Sequence, residues 1–209
     1  PVSPAGDAVG IEIPNYELLQ PLGRGAMAQV WLAEHKVNKR RAAIKILQRS
    51  LLHDEDAEQL FLREGEVLAG FRDENIVAIY DNARVGDFAY IAMEYLAGGT
   101  LLDRMRRGPI SVGESIAFVA QAARALGVAH RAGVIHRDLK PANIMFRDEG
   151  TPVLTDFGAA RVLERNTIYG KDGGIIGTPT YMSPEQIQGF VLDGRSDLYS
   201  LGVLFHELL

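Results

Sequence analysis

The chain of 209 residues has no cysteine. That excludes disulfides, thiolate metal sites and a cysteine nucleophile, and it fits a reducing, cytoplasmic setting. No apolar run approaches the ~20 residues that a membrane-spanning helix needs, and no secretory leader is legible at the start. An excess of positive charge is missing too. The formal net charge is -5, and the basic residues are scattered apart from Lys39-Arg40-Arg41 and Arg104-Met105-Arg106-Arg107. Those two runs read as solvated turns or helix faces, so no nucleic-acid partner is expected. No internal repeat is visible. With 47% hydrophobic and 23% charged residues, the rest is ordinary for a globular protein with ample core. Pro1 to Gly10, rich in proline, glycine and alanine, reads as a flexible leader.

The chemistry concentrates in His136-Arg137-Asp138-Leu139-Lys140-Pro141-Ala142-Asn143, followed further on by Asp156-Phe157-Gly158. Between them, Ile144 to Thr155 reads as two short apolar strands around the turn Asp148-Glu149-Gly150. Such a hairpin returns Asp156 to the side of Asn143. Two oxygen-bearing side chains so placed suit Mg²⁺, a hard cation that often shares its oxygen ligands with phosphates. Lys140 then lies near the anions, and Asp138 is an acceptor for a hydroxyl proton.

This string is similar to the catalytic loop and metal-binding loop of eukaryotic-type protein kinases. Lys140, two residues after Asp138, resembles the serine/threonine-specific branch, and the wording of Lys140 to Met145 and Tyr181 to Gln186 resembles bacterial members. The resemblance runs from Tyr16 to Leu209. It implies an α+β, bilobal fold: a small antiparallel β lobe with one regulatory helix over residues 11–96, and a mainly helical lobe over 97–209. The second lobe reads as partial, stopping within its central helix at Leu209.

The first lobe is legible in order. Tyr16 to Leu22 and Gln29 to His35 read as strands around Gly23-Arg24-Gly25-Ala26-Met27-Ala28, and Ala42 to Leu47 as a third strand. Gly-x-Gly-x-x-Ala also fits the loose dinucleotide-binding fingerprint, but that needs a helix next, and Gln29-Val30-Trp31-Leu32 favours a strand. No Gly-Lys-Ser/Thr occurs, so a P-loop is excluded. Kinases often have a third glycine where Ala28 stands, which bears on the mobility of this loop. Lys45 is the only charge in an apolar strand. Glu64 falls among Leu60, Phe61, Val67, Leu68 and Phe71, the apolar positions of a helix over Ala57 to Phe71. An isolated buried charge is very costly, so an ion pair between Lys45 and Glu64 answers both anomalies. In the resemblance this pair holds the lysine against the α- and β-phosphates of ATP. Ile76 to Tyr80 and Phe88 to Tyr95 complete the expected sheet.

By the same resemblance, Leu22, Gly23, Arg24, Gly25 and Lys45 line the nucleotide. Met93 is the residue behind the adenine, Glu94 and Leu96 belong to the linker that binds the base, and Val30, Ala43 and Met145 form apolar walls. Ala97-Gly98-Gly99-Thr100 reads as a hinge. Ser111 and Glu114 read as a capping box opening a helix whose stripe is Ile116, Val119, Ala120, Ala123 and Leu126, ending before Gly133. His136 reads as structural and not as the base.

After Gly158 a long segment to Gly177 is expected to be mobile. Gly177 to Glu185 resembles the substrate-docking loop and Ala-Pro-Glu motif, with Ser183 in place of alanine and Thr178 near Asp138 and Lys140. Arg137 beside the base implies switching by phosphorylation of that segment. Its usual acceptor region has no hydroxyl, which leaves Thr167 upstream, a fixed charge from Asp172, or no such regulation. Asp197 would bond the backbone of the catalytic loop. The expected activity is transfer of the γ-phosphoryl group of ATP to Ser/Thr hydroxyls of proteins. Asp138 would act as base, with Lys140, Lys45 and Glu64 in catalysis. Asn143 and Asp156 would hold Mg²⁺, with Mn²⁺ as a substitute. A homodimer would serve autophosphorylation, and segments beyond Leu209 would tether the protein to a membrane. The alternative is a pseudokinase that binds nucleotide as a scaffold. A small-molecule kinase is disfavoured by the docking loop.

Overall fold

The structure, a computed structural model, describes residues 11–25, 27–48, 51, 55–147, 150–157 and 179–209. The leader Pro1 to Gly10, Ala26, Asp148, Glu149 and the stretch 158–178, with Gly177, Thr167, Tyr169, Asp172 and Thr178, lie outside the described residues. The described residues form two compact units. One is drawn from Pro1–Gly70 and Ala78–Tyr95, the other from Phe71–Val77 and Leu96–Leu209. Phe71–Val77, which reads in sequence as part of the first lobe, therefore groups with the second unit.

The first unit is a five-stranded antiparallel sheet in the order β1-β2-β3-β5-β4. The strands are β1 (Tyr16–Arg24), β2 (Ala28–His35), β3 (Arg41–Leu47), β4 (Ile79–Val85) and β5 (Phe88–Glu94). Alternation along β3 explains its two cores, because successive side chains leave opposite faces. Ala42, Ile44 and Ile46 enter one cluster with Ile13, Tyr16, Ala33, Tyr90 and Ala92. Leu47, on the other face, packs with Ala28, Ala89, Ile91 and Phe61 of helix α1 (Glu55–Ala69). Ala28 is thus a core residue, and its methyl is a packing requirement at the position where kinases often carry glycine.

Two sequence expectations need correction here. Strand β4 begins at Ile79 and runs through Asp81, Asn82 and Arg84 to Val85, whereas Ile76 and Val77 are buried in the second unit, where Ile76 bridges Leu154. This polar run lies beyond the expected end of the strand at Tyr80, and Asp81, Asn82 and Arg84 each have a tertiary partner. Asp81 accepts from the Tyr90 hydroxyl at 2.6 Å, Asn82 donates to the Leu62 carbonyl at 2.6 Å, and Arg84 meets Glu58 at 3.1 Å. In helix α1 the buried positions are Ala57, Glu58, Phe61, Gly65 and Leu68, while Val67 is exposed and Phe71 lies beyond the helix. Gly65 carries the register, since a Cβ there would lie 2.6 Å from the Asn82 side chain.

Gly65→Ala should therefore destabilise the protein although alanine is the better helix former. The propensity gain is about 1 kcal/mol. Overpacking and loss of the Asn82–Leu62 bond each cost about 1–3 kcal/mol. We expect a net loss of about 1–5 kcal/mol by urea denaturation. A variant at least as stable as the parent would show that α1 can move away from β4 without cost.

The second unit is mainly helical. Helix α2 (Leu101–Arg107) is capped by Thr100 and Asp103, each bonding the other's backbone N–H, and helix α3 (Val112–Arg131) by Ser111 and Glu114 in the same way. Helix α3 ends as expected, with Gly133 at φ 75°. Its buried face is Ser115, Phe118, Ala122, Ala125, Leu126 and Ala129, so the expected stripe is rotated: Ile116 is 52% exposed. Both stripes are apolar in sequence. Packing on helix α5 (Gly194–Leu208) selects one, and the Ser115 hydroxyl donates to the Leu208 carbonyl at 3.2 Å. The basic run in α2 is also not wholly solvated, because the Arg104 guanidinium lies 3.6 Å from the centre of the Phe146 ring. Short strands β6 (Ile144–Phe146) and β7 (Pro152–Leu154) form the expected hairpin, and helix α4 (Pro184–Ile187) precedes α5. Gly98 serves contact with β6. Its N–H donates to the Phe146 carbonyl at 2.9 Å, and a Cβ would meet that oxygen at 2.6 Å.

Candidate active site

In the first unit, cross-strand pairing joins Val30 to Lys45 and Ala43 to Met93. Directly opposed residues share a face, so these four candidates lie on the side of the sheet covered by α1. Lys45 Nζ meets Glu64 Oε1 at 3.1 Å, with side chains only 10% and 11% exposed. Stripping either partner from such a pair costs about 3–5 kcal/mol, because the other charge stays buried. A strand turn precedes them. Gly23 pairs with Val30 and Arg24 with Gln29, the Gly25 N–H donates to the Ala28 carbonyl at 2.9 Å, and Gln48 Nε2 donates to the Gly25 carbonyl at 2.7 Å. The glycines thus open a strand-loop-strand turn, not a strand-loop-helix. No atom lies within 4 Å of a Cβ built at Gly23, so packing does not demand glycine there. Leu22 is exposed on β1, and Glu94 ends β5, its N–H donating to the Ala78 carbonyl at 2.8 Å.

The second unit holds the other candidates. Leu96 is buried and Met145 is half-buried on β6. Lys140 Nζ and Asn143 Nδ2 converge on one oxygen, Asp138 Oδ2, at 2.7 and 2.9 Å. Asn143 Nδ2 also donates to the Asp138 carbonyl at 2.8 Å. A carbonyl oxygen only accepts, so the amide nitrogen must face Asp138, which leaves Oδ1 turned the other way. The β6–β7 hairpin brings the segment of Asp156 back beside Asn143: the Thr155 N–H donates to the Asn143 carbonyl at 3.0 Å, one residue before Asp156. Asp156 and Arg137 both occupy the left-handed region, at φ 57° and 68°. Such conformations cost about 1–3 kcal/mol and persist where surrounding structure over-determines them, often at functional sites.

For Arg137 those surroundings include Asp197, fully buried in α5. Its Oδ2 accepts from the His136 N–H and its Oδ1 from the Arg137 N–H, both at 2.8 Å. Sequence reasoning expected that contact but missed His130, whose Nε2 lies 2.7 Å from the same carboxylate. Gly194 leaves room for that ring, since a Cβ there would come within 2.5 Å of it. Glu185 accepts from the Ser196 hydroxyl at 2.6 Å, and Tyr181 bonds Glu207.

His136 is fully buried, its ring 4.5 Å from that of Phe157. Burial holds its pKa below the ordinary 6.5, against the opposing pull of Asp197, Asp138, Asp156 and the Thr155 backbone. The unfolded chain takes up that proton more readily than the folded one. Its contribution to stability is therefore complete above about pH 6.5 and falls as pH drops below that, by up to about 1.4 kcal/mol per pH unit. His136→Phe should flatten the pH dependence of unfolding between about pH 6.5 and 5. Equal slopes in the two proteins would show that this ring is not buried neutral.

The donor set fits a magnesium nucleotide. An amide oxygen and a carboxylate supply hard ligands, leaving places for phosphate oxygens and water, and an ammonium lies on the neighbouring acid. The family described as the protein kinase domain matches residues 16–209. The chain is 40% identical to the serine/threonine-protein kinase PknB of Mycobacterium leprae, over 93% of this chain and 32% of that protein. It is 37% identical to PrkC of Bacillus subtilis, over 93% of this chain and 30% of that protein. The chain thus spans about a third of the length of the curated relatives it matches. The crystal structure of the PknI kinase domain of Mycobacterium tuberculosis superposes with a TM-score of 0.75 at 30% identity, covering 95% of this chain and 75% of that one. On sequence and fold alike, the chain belongs to the protein kinase domain family.

Proposed function

We propose that the protein transfers the γ-phosphoryl group of ATP to serine or threonine hydroxyls of protein substrates. The observation that carries this reading is the convergence of Lys140 and Asn143 on one carboxylate oxygen of Asp138. Asp138 orients the acceptor hydroxyl and takes its proton. Lys140, two residues on, faces the charge that develops on the transferring group. Asn143 and Asp156 would hold Mg²⁺, or Mn²⁺ in its place, which when bound neutralises phosphate charge. Lys45, kept in place by Glu64, would contact the α- and β-phosphates. In the first unit Gly23 and Gly25 would lie along the phosphates, and Leu22, Arg24, Val30, Ala43, Met93 and Glu94 are the further nucleotide contacts proposed there; in the second unit the proposed contacts are Leu96 and Met145. There is little covalent chemistry for the protein to perform in such transfers, so positioning and charge stabilisation supply most of the rate. Dependence on ATP puts the domain on the cytoplasmic side of any membrane. Among the described residues no helix is long and apolar enough to cross one.

The test is incubation of the full-length protein with labelled ATP, Mg²⁺ or Mn²⁺ and a casein acceptor, with phosphosites mapped by mass spectrometry. Label on Ser and Thr is expected, including sites on the protein itself if two copies act on each other. Tight ATP binding with no label on any protein would sink the kinase reading in favour of a nucleotide-binding scaffold.

A further inference from the structure

Gln186, the third residue of helix α4, makes two separate uses of one side-chain amide. Its Oε1 accepts from the Ser183 N–H at 3.0 Å, and its own N–H donates to Ser183 Oγ at 3.3 Å, which closes the helix cap. Its Nε2 donates in another direction, to the carbonyl oxygen of Arg137 at 2.7 Å. The amide cannot be turned round, because that carbonyl only accepts and the Ser183 N–H only donates.

The carbonyl in question belongs to the peptide joining Arg137 to Asp138. The other end of that peptide, the Asp138 N–H, points to His136 Nδ1 at 3.4 Å. The peptide before it is held by Asp197 through the Arg137 N–H at 2.8 Å. Arg137 itself sits at φ 68°, where a non-glycine residue needs its surroundings to hold it. Capping alone does not explain a glutamine here. A glutamate would cap as well, and its charge is favoured at a helix N-terminus. Only the amide can donate to Arg137.

We propose that Gln186 is a positioning residue for phosphoryl transfer. It fixes the plane of the Arg137–Asp138 peptide, and so the aim of the Asp138 carboxylate, and it ties that aim to helix α4. The inference rests on the reading of Asp138 as the proton acceptor.

The experiment compares Gln186→Glu and Gln186→Met in the full-length protein, with labelled ATP and casein, and with Asp138→Asn alongside. Gln186→Glu keeps the cap and loses the donor. Its kcat should fall roughly 10- to 100-fold, the scale on which a small misplacement near the chemistry acts. Its KM for ATP should stay within about twofold and its melting temperature within about 2 °C of the parent. Gln186→Met loses both bonds, so its kcat should fall as far while its melting temperature drops by several degrees. Activity then follows the donor and not the cap. Parental kcat in Gln186→Glu, or a loss of kcat confined to the variant that melts early, would overturn the proposal. If Asp138→Asn is inactive while Gln186→Glu is parental, the Gln186 inference alone fails. If Asp138→Asn turns over normally, the reading of Asp138 fails and takes this inference with it.

Discussion

Asp138→Asn should leave ATP binding nearly intact and reduce phosphoryl transfer roughly a thousandfold, within the 10²–10⁴ range of a positioned general base. The change is nearly isosteric, so the fold should survive it. Two things are lost at once. The amide cannot take up the hydroxyl proton at neutral pH, and the ammonium of Lys140, 2.7 Å from Asp138 Oδ2, loses its counter-charge. Nothing in the first unit changes, where Lys45 and Glu64 remain paired. Titration with a fluorescent ATP analogue beside a single-turnover transfer assay separates the two effects. Normal turnover in this variant would remove Asp138 from its role. A parallel loss of nucleotide affinity would mean that the residue supports binding and not the chemical step.

The second large effect is structural in origin. Asp197→Asn should destabilise the protein by about 3–5 kcal/mol, because buried donors lose the charge and one acceptor atom of the carboxylate they bond. Its melting temperature should then fall by about 10 °C for a chain of this size. Asp197 is fully buried and receives two backbone N–H groups and the His130 ring. Hydrogen bonds to a charged group contribute about 1.5–3 kcal/mol each. An asparagine offers one acceptor atom where two are used, so its amide would face a donor. The backbone from His136 to Asp138 would lose its grip, and transfer should fall together with stability. Calorimetry and the same transfer assay check both. A variant that melts within a degree or two of the parent would show that the catalytic loop holds its shape without α5.

The chemistry of the site was largely legible because it is local in sequence. His136 to Asn143 and Asp156-Phe157 carry their identity in residue type and spacing, and a short hairpin is enough to close them. The Lys45–Glu64 pair was legible for another reason. Each is a charge among apolar neighbours, and a buried charge demands a partner. What could not be read were choices between equally apolar alternatives. Val67 and Ile116 fit their helical stripes in sequence, yet both are exposed, because Gly65 against Asn82 and Ser115 against Leu208 set the rotation of their helices. The strand expected over Ile76 to Tyr80 was displaced from β4 for the opposite reason. Asp81, Asn82 and Arg84 look like loop residues until Tyr90, Leu62 and Glu58 are there to receive them.

By itself, then, the sequence determined the family, the β-then-α order of elements, and the residue types proposed to handle phosphate, metal and proton. These depend on composition and short-range spacing, which are properties of the chain before it folds. Tertiary structure decided which face of α1 and α3 is buried, where Phe71–Val77 belongs, and how the peptide before Asp138 is held. Those outcomes depend on hydrogen bonds spanning from 20 to 93 positions, as with Asn82 and Leu62, Arg137 and Gln186, Ser115 and Leu208. Such bonds have no counterpart in local pattern, since either partner alone looks like an ordinary polar residue.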